Sequence, residues 1–283
     1  LAEAGLTSET LAEIDHLLVG CGGFVKELIA YTAGASTVKD DSRQRLSAAD
    51  ELTDRLLREQ LLRLIPYSGG YSEEGGAFGT AGCASYVHWL LDPVDGTRPA
   101  TLGGAFGVSV GALVVRDGAP VAAVGWVYVP TLSALYRGIL APGFTECTLN
   151  GRAVLAEADL SVADLAQRYL AVSSDWSGAH LRPSPMKLSA PGATAVHLTQ
   201  LVHAGSDVAA AVLTRYKPYD AAGGLVIAAA GGCAIYPLHR HNRRPSRDPL
   251  EPLSFLLQLR ELPDQWACPV LVCTPPVADL LRG

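Results

Sequence analysis

The sequence is poor in charge, in aromatic rings and in methionine. Charged residues make up 18% of its 283 positions, aromatics 7%, and Met186 is the single methionine. It also lacks a basic excess: 22 Lys and Arg stand against 28 Asp and Glu, a formal net charge of −6. A nucleic-acid partner is therefore not expected, because binding a phosphate backbone needs a basic face. The six cysteines, at 21, 83, 147, 233, 268 and 273, form no CxxC pair, and no His cluster adjoins them. That argues against a zinc site and for free, buried thiols in a reducing compartment, so a cytoplasmic location is expected. No basic segment followed by an apolar block opens the chain, and no secretory signal is expected. One uncharged stretch, Ala221–Leu238, has the length of a membrane span, but its four glycines and Pro237 point to a buried helix–turn–strand, with no membrane involvement.

What is present is enough apolar residue, 49%, to bury a sizeable core. Leu11, Ile14, Leu17, Leu18, Val25, Leu28 and Ile29 repeat at helical spacing, predicting a helix over Ser8–Tyr31. A polar loop is expected over Ala33–Arg45. A second helix is then predicted with Ser47 as N-cap, Asp50 in its first turn, Leu52, Leu56, Leu57 and Leu61 on its apolar face, and Pro66 at its end. Apolar runs at Tyr86–Leu91, Phe106–Val115, Ala119–Val129 and Leu132–Ile139 read as strands, with Arg116-Asp117-Gly118 as a hairpin turn and Asn150-Gly151 as another turn. Beyond residue 153, strands at Tyr169–Ser173 and Val208–Leu213 alternate with helices at Gly192–His203 and Ala221–Ala230. The pattern is α+β followed by α/β, and it predicts two domains, 1–152 and 153–283. The basic run His239–Arg247 reads as a solvated loop. Trp89, His88, His197 and His203 read as packing or surface residues.

The informative segment is Trp89-Leu90-Leu91-Asp92-Pro93-Val94-Asp95-Gly96-Thr97. An apolar strand ends on two carboxylates held apart by a proline. A capped turn is one reading, since Asp, Pro and Gly all form turns. The other is a cation site: hard divalent ions take clustered oxygens, and Asp92, Asp95 and the Val94 carbonyl could converge on one or two of them. Gly96 permits close backbone approach, and a helix starting near Thr97 would turn free N–H groups toward a phosphate. Two further acidic features stand apart from it, Ser72-Glu73-Glu74-Gly75 and Lys217-Pro218-Tyr219-Asp220. Asp220 reads equally as a first-turn acid complementing a helix dipole.

Leu91-Asp92-Pro93-Val94-Asp95-Gly96-Thr97, preceded by Glu73-Glu74 and followed by Tyr219-Asp220-Ala221-Ala222-Gly223, resembles the inositol monophosphatase superfamily, over nearly the whole chain. Asn150-Gly151 matches the turn that closes the family's first domain, and Gly192-Ala193-Thr194-Ala195 resembles its substrate-facing segment of small residues. The resemblance implies an alternating αβαβα sandwich, a homodimer, and a Mg2+-dependent phosphatase using on the order of two or three ions per site. By the same resemblance, Glu73, Asp92 and the Val94 carbonyl hold one ion, Asp92, Asp95 and Asp220 a second, and Glu73 reaches a third. Thr97, Asp50 and Glu73 form the catalytic set, Thr97 accepting a bond from the attacking water and Asp50 orienting it. The amides of Gly96 and Thr97 bind phosphate, while Asp95, Gly192, Ala193, Thr194 and Asp220 face the substrate.

The pattern departs from the family in two places. Arg98-Pro99-Ala100-Thr101-Leu102 carries no aromatic, and Val212–Lys217 has no acid where inositol-type relatives bind a substrate hydroxyl. Simple inositol phosphate is therefore disfavoured. Arg215 and Lys217 read either as receptors for a second anionic group or as a solvent-facing turn. The expectation is a Mg2+-dependent phosphomonoesterase for a small sugar, cyclitol, amino alcohol or nucleotide phosphate. A 3'(2'),5'-bisphosphate nucleotidase is the alternative, and a non-catalytic binding relative is the alternative of another class.

Overall fold

The computed structural model describes residues 1–35, 39–80, 85–158, 160–172, 186–190, 192–203, 205–239, 244–261 and 263–282. Two long helices come first, α1 (Ser8–Ala35) and α2 (Lys39–Leu64). On α1, Leu11, Ile14, Leu18, Cys21 and Val25 are buried, one stripe at helical spacing. α2 corrects the expectation at both its start and its face. It begins at Lys39, so Ser47 is an interior residue and not an N-cap; residues 36–38 of the expected loop lie outside the described residues. Lys39 to Arg45 is polar in sequence and so reads as a loop, yet Lys, Arg and Gln are good helix formers. Leu52 and Leu56 are half exposed, while Asp50, Thr53, Asp54, Leu57 and Leu61 are buried. The inward stripe of α2 thus carries carboxylates where leucines were expected.

The first sheet has eight strands: β1 (Ser68–Ser72), β2 (Gly76–Gly79), β3 (Ser85–Asp95), β4 (Gly107–Arg116), β5 (Ala119–Val129), β6 (Ala134–Ala141), β7 (Phe144–Leu149) and β8 (Arg152–Ala153). Their order is β2-β1-β3-β4-β5-β6-β7-β8. β1 runs parallel to β3, and β3 to β8 form an antiparallel meander, of which β4 to β6 are the expected part. A short helix, α3 (Thr97–Thr101), follows β3. The second sheet has five strands in the order β10-β9-β11-β13-β12: β9 (Tyr169–Val172), β10 (Lys187–Ser189), β11 (Val208–Leu213), β12 (Ala234–Pro237) and β13 (Val270–Cys273). Around it run α4 (Val162–Leu165), α5 (Thr194–Gln200), α6 (Pro218–Ala230), α7 (Pro252–Glu261) and α8 (Pro275–Arg282). Ser173, at the end of an expected strand, and residues 240–243 of the expected basic loop lie outside the described residues.

Side-chain alternation builds the layers. Val87, Trp89 and Leu91 point from β3 into a core shared with α1 and α2. Leu90, between them, points to the other face and joins a core with α5, α6, α7 and the inner face of the second sheet. Leu165, Val277 and Ala278 of α4 and α8 cover the outer face of that sheet. The result is the αβαβα sandwich. Ala221–Leu238 is α6 followed by β12, as expected, and no described helix is long and apolar enough to cross a membrane. Gly111, Gly125 and Gly138 form one cross-strand row on β4, β5 and β6. Any side chain there would collide with α6, at Ala222, Gly223 and Ile227. That groove seats α6 directly on the first sheet and brings Asp220 to the end of β3.

Candidate active site

The site gathers where β3 ends. Asp92 and Asp95 are 2% and 3% exposed, so neither carboxylate is a solvated turn residue. The β3–β4 register slips between them, which lets both side chains leave the regular alternation of the strand. The Val94 N–H donates to Asp92 Oδ1 at 3.1 Å, and the Thr97 hydroxyl donates to the Val94 carbonyl at 3.1 Å. That carbonyl keeps a second lone pair. Gly96 has φ 91°, the left-handed region, and a Cβ there would lie 2.7 Å from the Ala193 Cβ. The chain therefore needs glycine at 96 for both conformation and space.

Glu73 arrives through strand pairing. β1 runs beside β3 up to Ser72 and Leu91, and the Glu73 N–H donates to the Leu91 carbonyl at 3.1 Å. Asp54 of α2 secures this turn: it accepts the Ser72 hydroxyl and pairs with Arg58 at 2.6 Å. Asp220 arrives on the first turn of α6, where its Oδ2 accepts the Lys217 N–H at 2.8 Å. Asp220 is thus a helix-capping acid and a member of the acidic cluster at once. One carboxylate oxygen each from Glu73, Asp92 and Asp220 lies within 4.8 Å of the other two.

Asp95 stands beside this trio with its oxygens turned toward the second half of the chain. It accepts the Thr194 N–H at 2.7 Å and the Val196 N–H at 2.9 Å, closing the first turn of α5. Gly192, Ala193 and Thr194 are thereby brought against the motif, with Gly192 facing Pro99 and Ala193 facing Gly96.

The electrostatics of the trio are one-sided. Burial pushes Asp92 well above the usual carboxylate range, and the charges of Glu73, Asp95, Asp220 and Asp50 push it further. Asp50, 5% exposed on α2, rises to about 8 by burial and then by Glu74, Glu73 and Glu51. Asp95 rises to about 8 by burial, against the lowering effect of the α5 amides. Crowding by protein and the charge of Asp220 push Glu73 to about 7, although its outer edge is open to solvent. Asp220 rises to about 6 by burial, moderated by the Lys217 amide and ammonium. Acids this crowded share their site either with protons or with cations. An all-oxygen donor set of carboxylates plus a free carbonyl lone pair suits a hard divalent ion, so the residues present fit such a metal.

The other sequence-predicted residues fall into place around the trio. Lys217 donates to the Asp264 backbone carbonyl and pairs with its carboxylate at 2.8 Å. Arg215 lies over the Trp266 ring, 4.3 Å from its centroid. His88 and His197 are held neutral by burial, which lowers each to about 4, and His203 bonds Tyr136 through Nδ1 at 2.8 Å. Sequence reasoning missed Asp54, Ser72 and the stacked pair Tyr71–Tyr219, whose centroids are 6.0 Å apart between the β1 turn and α6. A cavity of about 460 Å³ lies elsewhere, lined by Glu157, Arg168, Gln200, His203, Cys233 and Thr274, and none of Glu73, Asp92, Asp95 and Asp220 lines it.

Comparison with known proteins agrees with the geometry. The family model described as inositol monophosphatase family matches residues 9–257. The chain is 33% identical over 229 residues to an inositol-1-monophosphatase of Mycobacterium leprae, covering 76% of each chain. It is 27% identical over 236 residues to a fructose-1,6-bisphosphatase/inositol-1-monophosphatase of Aquifex aeolicus, covering 80% of this chain and 84% of that one. Inositol monophosphatase-II of Staphylococcus aureus shares the fold, with a TM-score of 0.66 at 19% identity over 95% of this chain and 92% of the other. With the acidic cluster in the position the motifs require and the match running over most of its length, the chain belongs to the inositol monophosphatase family of metal-dependent phosphomonoesterases.

Proposed function

We propose that this protein is a Mg2+-dependent phosphatase for a small phosphorylated metabolite, and that its acidic pocket is the reaction centre. The observation that carries the proposal is the convergence of Glu73, Asp92 and Asp220 within 4.8 Å, beside a left-handed Gly96 that opens the backbone. Glu73, Asp92 and the Val94 carbonyl would hold one ion, and Asp92, Asp95 and Asp220 a second. Bound there, such ions neutralise phosphate charge, acidify a water and stabilise the leaving oxygen.

The chain's own residues supply the rest. Asp50 and Glu73 are the proposed acceptors for the proton that the attacking water gives up. The Thr97 hydroxyl, steered by the Val94 carbonyl, is placed to accept a hydrogen bond from the attacking water. The amides of Gly96 and Thr97 present donors to the phosphate oxygens. Asp95 locks the substrate-facing segment Gly192, Ala193 and Thr194 onto the motif. The division of labour follows the two halves: residues 1–152 carry most of the acids, and residues 153–283 complete the site with Asp220 and the α5 segment. The buried thiols of Cys21, Cys147 and Cys233 support a cytoplasmic location.

The test is release of inorganic phosphate from a panel of sugar, cyclitol, amino alcohol and nucleotide monophosphates, with and without Mg2+. Turnover of at least one class only when the ion is present is expected. Equal turnover in chelator, or none on any ester, contradicts the proposal.

A further inference from the structure

We infer that Ser109 is a positioning residue for the reaction centre: its hydroxyl, buried on β4 opposite Asp92, donates to the Asp92 carboxylate and holds it in the orientation that grips the ion. The inference rests on the metal-dependent reading above and adds a residue to the same site.

Ser109 is 0% exposed, and its Oγ has no hydrogen-bond partner among the described residues. Such a group is costly, because a buried hydroxyl has given up its water. Its surroundings leave one partner of suitable chemistry. Across the sheet Ser109 is paired with Asp92 on β3 and with Val127 on β5. Two positions away on β4, on the same face, stand Gly107 and Gly111, which carry no side chain. Over that face lies α6: a Cβ on Gly223 would come within 2.7 Å of Ser109 Oγ. Gly223 is the sixth residue of α6, beyond the first turn whose N–H groups are unpaired, so the helix backbone offers no free group there. The Val110 and Trp126 carbonyls near the same spot belong to paired strand residues, and the hydroxyl bonds neither.

Asp92 meets Ser109 on the same side of the sheet. Its carboxylate reaches Asp220 on the first turn of α6, as Ser109 reaches Gly223 one turn further on. Directly paired residues of an antiparallel sheet hold their Cβ atoms about 5 Å apart, within hydrogen-bond reach of two short polar side chains. Asp92 Oδ1 already accepts the Val94 N–H. A carboxylate offers about four lone-pair positions, enough for that amide, the ions and the Ser109 hydroxyl. Carboxylates that hold a metal are fixed by hydrogen bonds of this kind, because a ligand free to rotate has to be ordered when the ion arrives. Ser109 supplies that order from the interior, where water does not compete for the bond.

Calorimetric titration of Mg2+ into chelator-treated wild type, Ser109→Ala and Thr274→Val, with melting of each protein in chelator, tests this. Ser109→Ala should bind Mg2+ about tenfold more weakly or worse. Its melting temperature in chelator should stay within about 2 °C of the wild type or rise, since the substitution removes an unpaired hydroxyl. Thr274→Val is the control. The Thr274 hydroxyl is likewise buried and unpartnered, but it stands after β13 beside the separate cavity. Its loss should leave Mg2+ affinity within about twofold, as expected for a site remote from the ion. Equal Mg2+ affinity in Ser109→Ala, or an equal loss in Thr274→Val, overturns the inference. So does a fall of more than about 2 °C for Ser109→Ala in chelator, which would assign the hydroxyl to the fold. A wild type that binds Mg2+ but releases phosphate from no ester strikes the phosphatase reading alone, and the titration still decides Ser109. A wild type that binds no Mg2+ overturns both.

Discussion

Two sets of carboxylates in this molecule are treated in opposite ways. Asp54 is 1% exposed, yet it is fully provided for: Arg58 pairs with it at 2.6 Å and the Ser72 hydroxyl donates to it. Asp15 is provided for likewise by Arg137 at 2.7 Å and the Trp126 indole at 2.9 Å. Asp92, one strand away, receives the Val94 N–H and otherwise faces acids. A carboxylate that serves the fold is given its counter-charge by the chain. The cluster of Glu73, Asp92, Asp95 and Asp220 forms no ion pair among the described residues, and we propose that its counter-charge comes from solution.

The contrast can be broken most sharply at Asp92. Asp92→Asn should lower phosphate release by about 10²–10³-fold while circular dichroism stays native, because it removes a ligand and relieves charge together. Near-normal turnover in that variant would equate Asp92 with the structural acids. Arg58→Ala should do the reverse. It leaves Asp54 buried without its cation and should cost about 1–3 kcal/mol in urea unfolding, while kcat on the folded fraction changes little. Thr97→Ala should slow the chemical step by about tenfold in single-turnover assays and leave ion affinity within a factor of about two. Equal losses of rate and ion binding would move Thr97 into the ligand set.

The smallest effect sharpens the comparison through pH. Asp50 and Asp95 titrate at about 8, Glu73 at about 7 and Asp220 at about 6, all above ordinary carboxylates near 4. The folded protein therefore binds more protons than the unfolded chain between those limits. Its ion-free stability should fall as pH rises from about 4 toward 8, the opposite slope to that of a salt-bridged carboxylate. Melting in chelator across that range checks the sign, and a stability that rises with pH would contradict it.

The sequence made one half of this contrast legible and hid the other. Asp92, Asp95 and Gly96 were readable because strand, turn and helix start are all local, and so was the Ala/Gly helix that carries Asp220. The meander from β4 to β6 was readable through its apolar runs and its turn residues. α2 was misread because its first turns are polar in sequence, and because Leu52 and Leu56 mimic an apolar stripe that points outward. Asp54 was invisible because its meaning depends on Ser72, 18 residues away on a parallel strand. Asp95 was readable as a ligand type, but its grip on α5 spans about a hundred positions and leaves no local trace. Trp266 was hidden in the same way, since only tertiary packing sets it beside Arg215.

The most direct measurement is the melting temperature of the wild type and of Asp92→Asn near pH 7.5, each titrated from chelator into millimolar Mg2+. Ion binding to the folded state alone should stabilise the wild type in a saturable way, by about 2.7 kcal/mol when the ion reaches a hundred times its dissociation constant. The account predicts that rise in the wild type and its loss in Asp92→Asn. A wild type whose melting ignores Mg2+, or a variant that gains as much as the wild type, would contradict it.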